Sequence, residues 1–288
     1  MDSDNNKEIA SDSRGKGTAV AQMFDKIAWR YDFLNHFLSF NIDKRWRNKA
    51  VKELRSPPPP RPAPKGKEMC ENSDSLSHSL QLDHVLDVAT GTADLALTIQ
   101  KLIKPKHITG IDISEGMLAI GRKKIEKKGL EQQITLQYGN SEDLLFDEQT
   151  FDAVTVAFGV RNFEHLEKGL NEMYRTLKSN GKVVILEFSI PKNRIIRPVF
   201  QFYFSRILPF FGRLFSKDSQ AYKYLPESVQ SFPHGTEFKE IMEKCGFSEV
   251  KIIPLTCGIV NVYTGIRGEE SEVRNEGQNY LKNQFISI

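Results

Sequence analysis

The chain has 288 residues, enough for one large α/β domain or two small ones, and with 39% hydrophobic and 27% charged residues it can build a packed core. Forty Lys and Arg against thirty-seven Asp and Glu leave a formal charge of +3, which argues against affinity resting on a concentrated phosphate-binding face, so no nucleic-acid partner is expected. No apolar run reaches the roughly eighteen residues of a membrane span, and Cys70, Cys245 and Cys257 form no CxxC pair, so neither a disulfide framework nor a Cys-rich zinc site is expected.

The opening residues, MDSDNNKEIASDSRGKG, are polar and hold no apolar run of the kind that begins a secretory signal, so a reduced, cytoplasmic setting is expected. Residues 1–16 read as a flexible N-terminus. From Thr18 onward Val20, Met23, Phe24, Ile27, Tyr31 and Leu34 recur at three- and four-residue spacing, which predicts a helix with one apolar face. A second helix is predicted from Asp43, whose carboxylate suits an N-cap, towards Leu54; residues 17–55 are thus N-terminal helices. The same spacing favours packing over ligand stacking for Phe24, Trp29, Tyr31, Phe33 and Trp46, with Tyr31 and its neighbour Asp32 set apart as the exceptions. Consecutive prolines in SPPPPRPAPKGKEMCENSDSLSHS remove donors and set φ, so 56–79 reads as a Pro-rich linker or inserted loop.

Beyond the linker the period changes. Short β-branched runs at 84–89, 107–113, 134–139, 151–159 and 181–189 alternate with helical patterns over Asp94–Lys101, Glu115–Lys128 and His165–Leu177. Apolar strands alternating with helices predict βαβ units, hence an α/β fold with a mostly parallel, doubly wound sheet. A helix over Gly235–Cys245 precedes runs at 247–255 and 258–267, which are joined so closely that they must pair antiparallel. The sheet should end in that hairpin. The core is therefore expected over 80–267, with a tail at 268–288, and the run Arg122–Lys128 reads as a solvated helix face. Within the core, 195–232 reads as a lid segment. In it, Ile195–Phe215 crowds phenylalanines and a tyrosine around Arg197, Arg206 and Arg213. Two readings stay open for it: a helix packed on the sheet edge, and a greasy lid that lies against a membrane surface through its basic edge.

The residues that carry chemistry sit where strands end. Asp87 closes the first strand, and VATGTADL (88–95) makes the turn behind it. In an open parallel sheet, ligands bind beyond the carboxyl ends of the strands. Gly91 lets the backbone approach a ligand there, and the following helix offers unpaired N–H groups. Asp112 closes the second strand, where an acidic residue typically accepts hydrogen bonds from ribose hydroxyls. The polar turn 139–143, containing Asn140 and Ser141, follows the third strand and is placed to meet an adenine edge. Together these resemble the S-adenosylmethionine site of a Rossmann-like, class I methyltransferase more than a dinucleotide site, because Ala89 and Ala93 interrupt the G-x-G-x-x-G fingerprint.

Four longer stretches, MFDKIAWRYDFLNHFLSFNIDKRWR (23–47), LDVATGTADL (86–95), FGVRNFEHLEKGLNEMYRTLKSNGKVVILEFS (158–189) and AYKYLPESVQSFP (221–233), closely resemble the UbiE family, the C-methyltransferases of menaquinone and ubiquinone biosynthesis. The resemblance covers most of 20–267 and implies S-adenosyl-L-methionine as cofactor, with no metal. It implies cofactor contacts at Thr92, Asp112, Asn140 and Ser141, beside Gly91, and a catalytic role for Arg161. A guanidinium is a poor base, so Arg161 is expected to stabilise a phenolate or to orient a water that takes the proton.

The implied substrate is a demethylated, prenylated quinol, foremost demethylmenaquinol; a benzoquinol, another small-molecule acceptor and a non-catalytic assembly protein on the same fold are the alternatives. A prenyl tail implies transient contact with the inner face of a membrane, and a homodimer is among the assemblies left open. The chain departs from the family pattern in places. Ala157 stands where a serine precedes Phe-Gly, Asp43 where His is usual, Ser179–Asn180–Gly181 where Pro-Gly-Gly is common, and Ala93 at a usual glycine.

Overall fold

A computed structural model describes residues 16–39, 41–55, 82–207 and 220–268. Most of the N-terminal stretch, the Pro-rich segment, the 208–215 part of the aromatic segment and nearly all of the C-terminal tail lie outside the described residues.

Each β-branched run forms a strand: β1 His84–Val88, β2 His107–Asp112, β3 Ile134–Tyr138, β4 Phe151–Ala157 and β5 Leu177–Phe188, then β6 Phe247–Leu255 and β7 Val260–Arg267. They build one sheet in the order β3-β2-β1-β4-β5-β7-β6. The first five are parallel, and β7 lies antiparallel between β5 and β6. The expected hairpin is therefore present, with its second strand inside the sheet. The side chains explain the order. β7 is buried along its whole length, whereas β6 exposes residues and carries Lys251 and Pro254, which suit an edge.

Helices α3 Asp94–Leu102, α4 Glu115–Glu126 and α5 Leu166–Thr176 make the crossovers, and α8 Thr236–Lys244 leads into β6. Successive strand residues serve opposite cores. Val85 and Ala153 pack with Leu95, Ile99 and Leu118 on one face, while Leu86 and Val154 pack with Leu170, Met173 and Phe238 on the other. Each such Val, Leu, Ile, Met or Phe side chain, fully buried, contributes about 1.5–3 kcal/mol. Between β5 and α8 run α6 Ile196–Phe202, a π turn Tyr203–Ile207 and α7 Gln220–Ser231.

The N-terminal helices are α1 Lys16–Leu38 and α2 Ile42–Glu53. Asp43 is not the N-cap of α2; that place falls to Asn41, which adopts a left-handed conformation at φ 58°. Asp43 is instead buried one residue into the helix, accepting from Ser39 Oγ at 2.6 Å and pairing with Arg47 at 2.5 Å. From there the charges alternate: Arg47 meets Asp94 at 3.1 Å, Asp94 meets Lys124 at 2.7 Å, and Lys124 meets Asp32 at 2.6 Å. This chain ties α2, α3, α4 and α1 together. The reading of 122–128 as a solvated face holds for Arg122, Lys123, Glu126, Lys127 and Lys128, which are exposed, but not for Lys124, whose charge meets two carboxylates. Trp46 is core, but Trp29 is 69% exposed, not buried as its spacing implied.

Candidate active site

The carboxyl ends of β1, β2, β3 and β4 open on one cavity of about 280 Å³. The turn after β1 forms its base. Ala89, Gly91 and Ala93 all take positive φ, at 51°, 57° and 65°. Alanine in this conformation costs roughly 1–2 kcal/mol per residue, so the glycine-type backbone persists although two glycines are absent. A Cβ added to Gly91 would meet no atom within 4 Å, which leaves bare backbone facing open space.

Asp112 stands beside it. Its two carboxylate oxygens accept from Gly91 N at 2.8 Å and Ser114 N at 2.9 Å. Burial pushes its pKa up to about 6, against the pull of the backbone N–H groups of Ser114, Gly91 and Ile113. Asn140 and Ser141 line the same wall, and Asn140 Oδ1 accepts from Glu142 N at 3.0 Å, which shapes the turn. Glu142 braces the wall against the opposite side: its carboxylate accepts from Glu164 N at 2.6 Å and His165 N at 2.9 Å. Helix α1 closes the top with Val20, Ala21 and Phe24. It is clasped there by Asp25, which accepts from Ser114 Oγ at 2.6 Å and Gly116 N at 2.9 Å.

The other half of the cavity is largely apolar, lined by Ala157, Phe158 and Phe163 beside Asn162. After β4 the chain makes a single 3-10 turn, Val160–Asn162. Asn162 Oδ1 accepts from Tyr224 Oη at 3.0 Å, so a residue of α7 holds its amide. Arg161 lies just behind this wall. Its Nη1 donates to Phe158 O and, at 2.8 Å, to Glu187 Oε1, while Nε is buried without a partner among the described residues. Glu187 is wholly buried; burial raises its pKa and the Arg161 charge opposes the rise.

Residues 11–267 match the model of the ubiE/COQ5 methyltransferase family. The chain belongs to that family. It is similar to a demethylmenaquinone methyltransferase of Bacteroides fragilis, with 41% identity over 261 residues, 91% of this chain and 97% of that one. It is likewise similar to a ubiquinone/menaquinone biosynthesis C-methyltransferase UbiE of Geobacter sulfurreducens, with 44% identity over 254 residues, 88% of this chain and 90% of that one.

Among solved structures, an S-adenosylmethionine-dependent methyltransferase of Thermotoga maritima, titled a possible histamine N-methyltransferase, superposes with a TM-score of 0.55 at 18% identity, covering 85% of this chain and 99% of that one. The [4+2]-cyclase SpnF superposes at 0.58 with 13% identity, covering 88% and 97%. Those two likenesses speak for the fold alone, since a cyclase shares it.

The chain is thus an S-adenosylmethionine-dependent methyltransferase, and its cavity fits an adenosyl group. Bare backbone at Gly91, a carboxylate at Asp112 with lone pairs to spare, and the polar Asn140 and Ser141 occupy successive strand ends. The structure brings these four together. It sets Thr92 apart: Thr92 is buried outside the cavity lining, its hydroxyl donating to Asp32 Oδ1 at 2.5 Å and accepting from Lys124 Nζ at 2.9 Å. Ala157 does reach the cavity.

Sequence reasoning passed over Asn162, Glu142, Tyr224 and Glu187. Glu187 had a signal. It is the one carboxylate in the apolar run GKVVILEFS, and a charge in a strand buried on both faces demands a partner. Asn162 had only adjacency to Arg161, and Tyr224 is brought to it by tertiary structure alone.

Proposed function

We propose that the enzyme methylates a ring carbon of a demethylated, prenylated quinol, with demethylmenaquinol as the foremost substrate. The relatives' names and the two-sided cavity support this reading; the observation that carries it is the apolar half-site of Phe158 and Phe163 with one polar side chain, Asn162, held in place. Gly91, Asp112, Asn140 and Ser141 would hold the adenosyl group. The sulfonium supplies an already activated methyl, so the protein's work is alignment and exclusion of water.

A quinol carbon becomes nucleophilic as the neighbouring hydroxyl loses its proton, and the developing phenolate needs donors. Asn162 lines the cavity, and Arg161 places a cation behind the same wall, with Nε donating to no acceptor among the described residues. Glu187 holds that guanidinium from the far side. Phe24 from α1, with Phe158 and Phe163, excludes water. The tail of such a quinol lies in lipid, so the enzyme works against a membrane surface; no described helix is long and apolar enough to cross one.

Purified enzyme with a short-tailed demethylnaphthoquinol, the corresponding benzoquinol and an unrelated phenol tests the reading. A ring-methylated naphthoquinol by mass spectrometry is expected. Cofactor binding with no methylated quinol of either kind would overturn it.

A further inference from the structure

The segment after β5 is apolar on two sides, and among the described residues only one of them packs on the protein. Phe200 of α6 and Phe204 of the π turn press inward, against Phe188, Leu225, Val229 and Ile259. Outward stand Ile195, just before α6, and Val199 and Phe202 within it, spaced four and three apart on one helical face, with exposures of 80%, 65% and 60%. Lys192, Arg194, Arg197 and Arg206 are exposed around them, and residues 190–217 contain no Asp or Glu. A helix with apolar residues all round is ordinarily buried on all sides.

We propose that this outer face of α6 seats the enzyme on an anionic lipid surface. An apolar ridge inside a rim of cations is the pattern by which interfacial helices bind: the ridge enters the acyl boundary and the cations meet headgroup phosphates. A second copy of the chain fits less well. A stable interface needs roughly 800 Å² from each partner, more than three side chains on a short helix offer, and two such faces would bring like-charged rims together. The face is also well placed. The Phe204 and Phe188 rings lie 5.8 Å apart, the Phe188 and Phe158 rings 4.7 Å apart, and Phe158 lines the cavity. The seat is two ring contacts from the acceptor half-site. Its purpose, delivery of a lipid-held substrate, rests on the proposed quinol; the seating itself does not.

Sedimentation of the full chain with phosphatidylglycerol–phosphatidylcholine vesicles, against phosphatidylcholine alone, tests this. Binding to the anionic vesicles is expected, weakened at least about tenfold by Val199→Ser with Phe202→Ser. Because both side chains point outward, cofactor binding and the thermal midpoint should stay unchanged. Arg194→Gln with Arg197→Gln, which disturbs no packing, should lower binding several-fold and flatten its dependence on salt. Absence of binding by the native chain, or equal binding by the serine variant, overturns the proposal. So does a dimer in lipid-free ultracentrifugation that the serine variant loses. Vesicle binding without methyl transfer to any quinol would strike the proposed reaction and leave this surface standing.

Discussion

The wholly buried carboxylate of Glu187 in β5 meets the Arg161 guanidinium at 2.8 Å across the turn that follows β4. Both charges have left water, so each depends on the other. Removing one partner of such a pair costs about 3–5 kcal/mol, whereas replacing both with apolar groups costs far less. Glu187→Gln and Arg161→Met should therefore each lower the urea-unfolding free energy by about 3 kcal/mol. The double variant Glu187→Leu with Arg161→Met should lose clearly less than the sum. Additive losses would show the two groups to be uncoupled.

Cofactor affinity should depend on pH through Asp112. Its carboxyl titrates at about 6 because burial disfavours the charge, and the charged form is the better acceptor for ribose hydroxyls. The unbound enzyme is mostly protonated there at pH 5 and ionised at pH 7.5. Calorimetry should find S-adenosylmethionine bound roughly tenfold more weakly at pH 5 than at pH 7.5. In Asp112→Asn the affinity should be lower and this dependence absent. A native chain whose affinity is flat across that interval would contradict the assignment.

Asp87 bears on stability instead. Its carboxyl is raised to about 6 by burial, against hydrogen bonds from Thr90 Oγ1 at 2.6 Å and Thr155 Oγ1 at 2.8 Å. The folded state holds the proton more tightly than the unfolded chain does. The stabilisation is therefore complete below about pH 4 and lost as pH rises through 6, a swing of about 3 kcal/mol. Chemical denaturation of Asp87→Asn at pH 4 and pH 7 should lack that swing, so the difference from the native protein shifts in favour of Asn at the higher pH.

Gly159 is held to glycine by its neighbour across the turn. A Cβ there would stand 2.6 Å from the Ala89 Cβ and 3.0 Å from a Val156 methyl. Gly159→Ala should cost about 1–3 kcal/mol and weaken cofactor binding, because it pushes the β1 turn. Adding Ala89→Gly should restore much of both losses, since it removes the closest obstruction and relieves a positive φ. Failure of that rescue would mean that the two loops do not press on each other.

Strand and helix identities were readable because their cause is local. Val85 and Leu86 declare a strand buried on two sides, and the lysine and proline of β6 mark it as an edge. The meeting of four residues at one cavity was readable for the same reason, since Gly91, Asp112, Asn140 and Ser141 follow directly from strand ends. What failed was partnership between distant residues. Nothing near Asp43 announces that it pairs with Arg47 and is continued by Asp94, Lys124 and Asp32 from three other helices. Thr92 has the right place in the chain, but its hydroxyl is claimed by Asp32, sixty residues earlier. Tyr224 reaches Asn162 across a comparable distance.

The position of β7 has a consequence for synthesis. As the last strand of the sheet to leave the ribosome, it takes an interior place. Until it emerges, β5 presents an unpaired apolar border along the strand that carries Glu187. A nascent chain stopped before residue 260 would expose that border to other chains, and Glu187 would lack its β7 neighbour Asn261. The carboxylate that holds Arg161 is thus enclosed only when the sheet is complete.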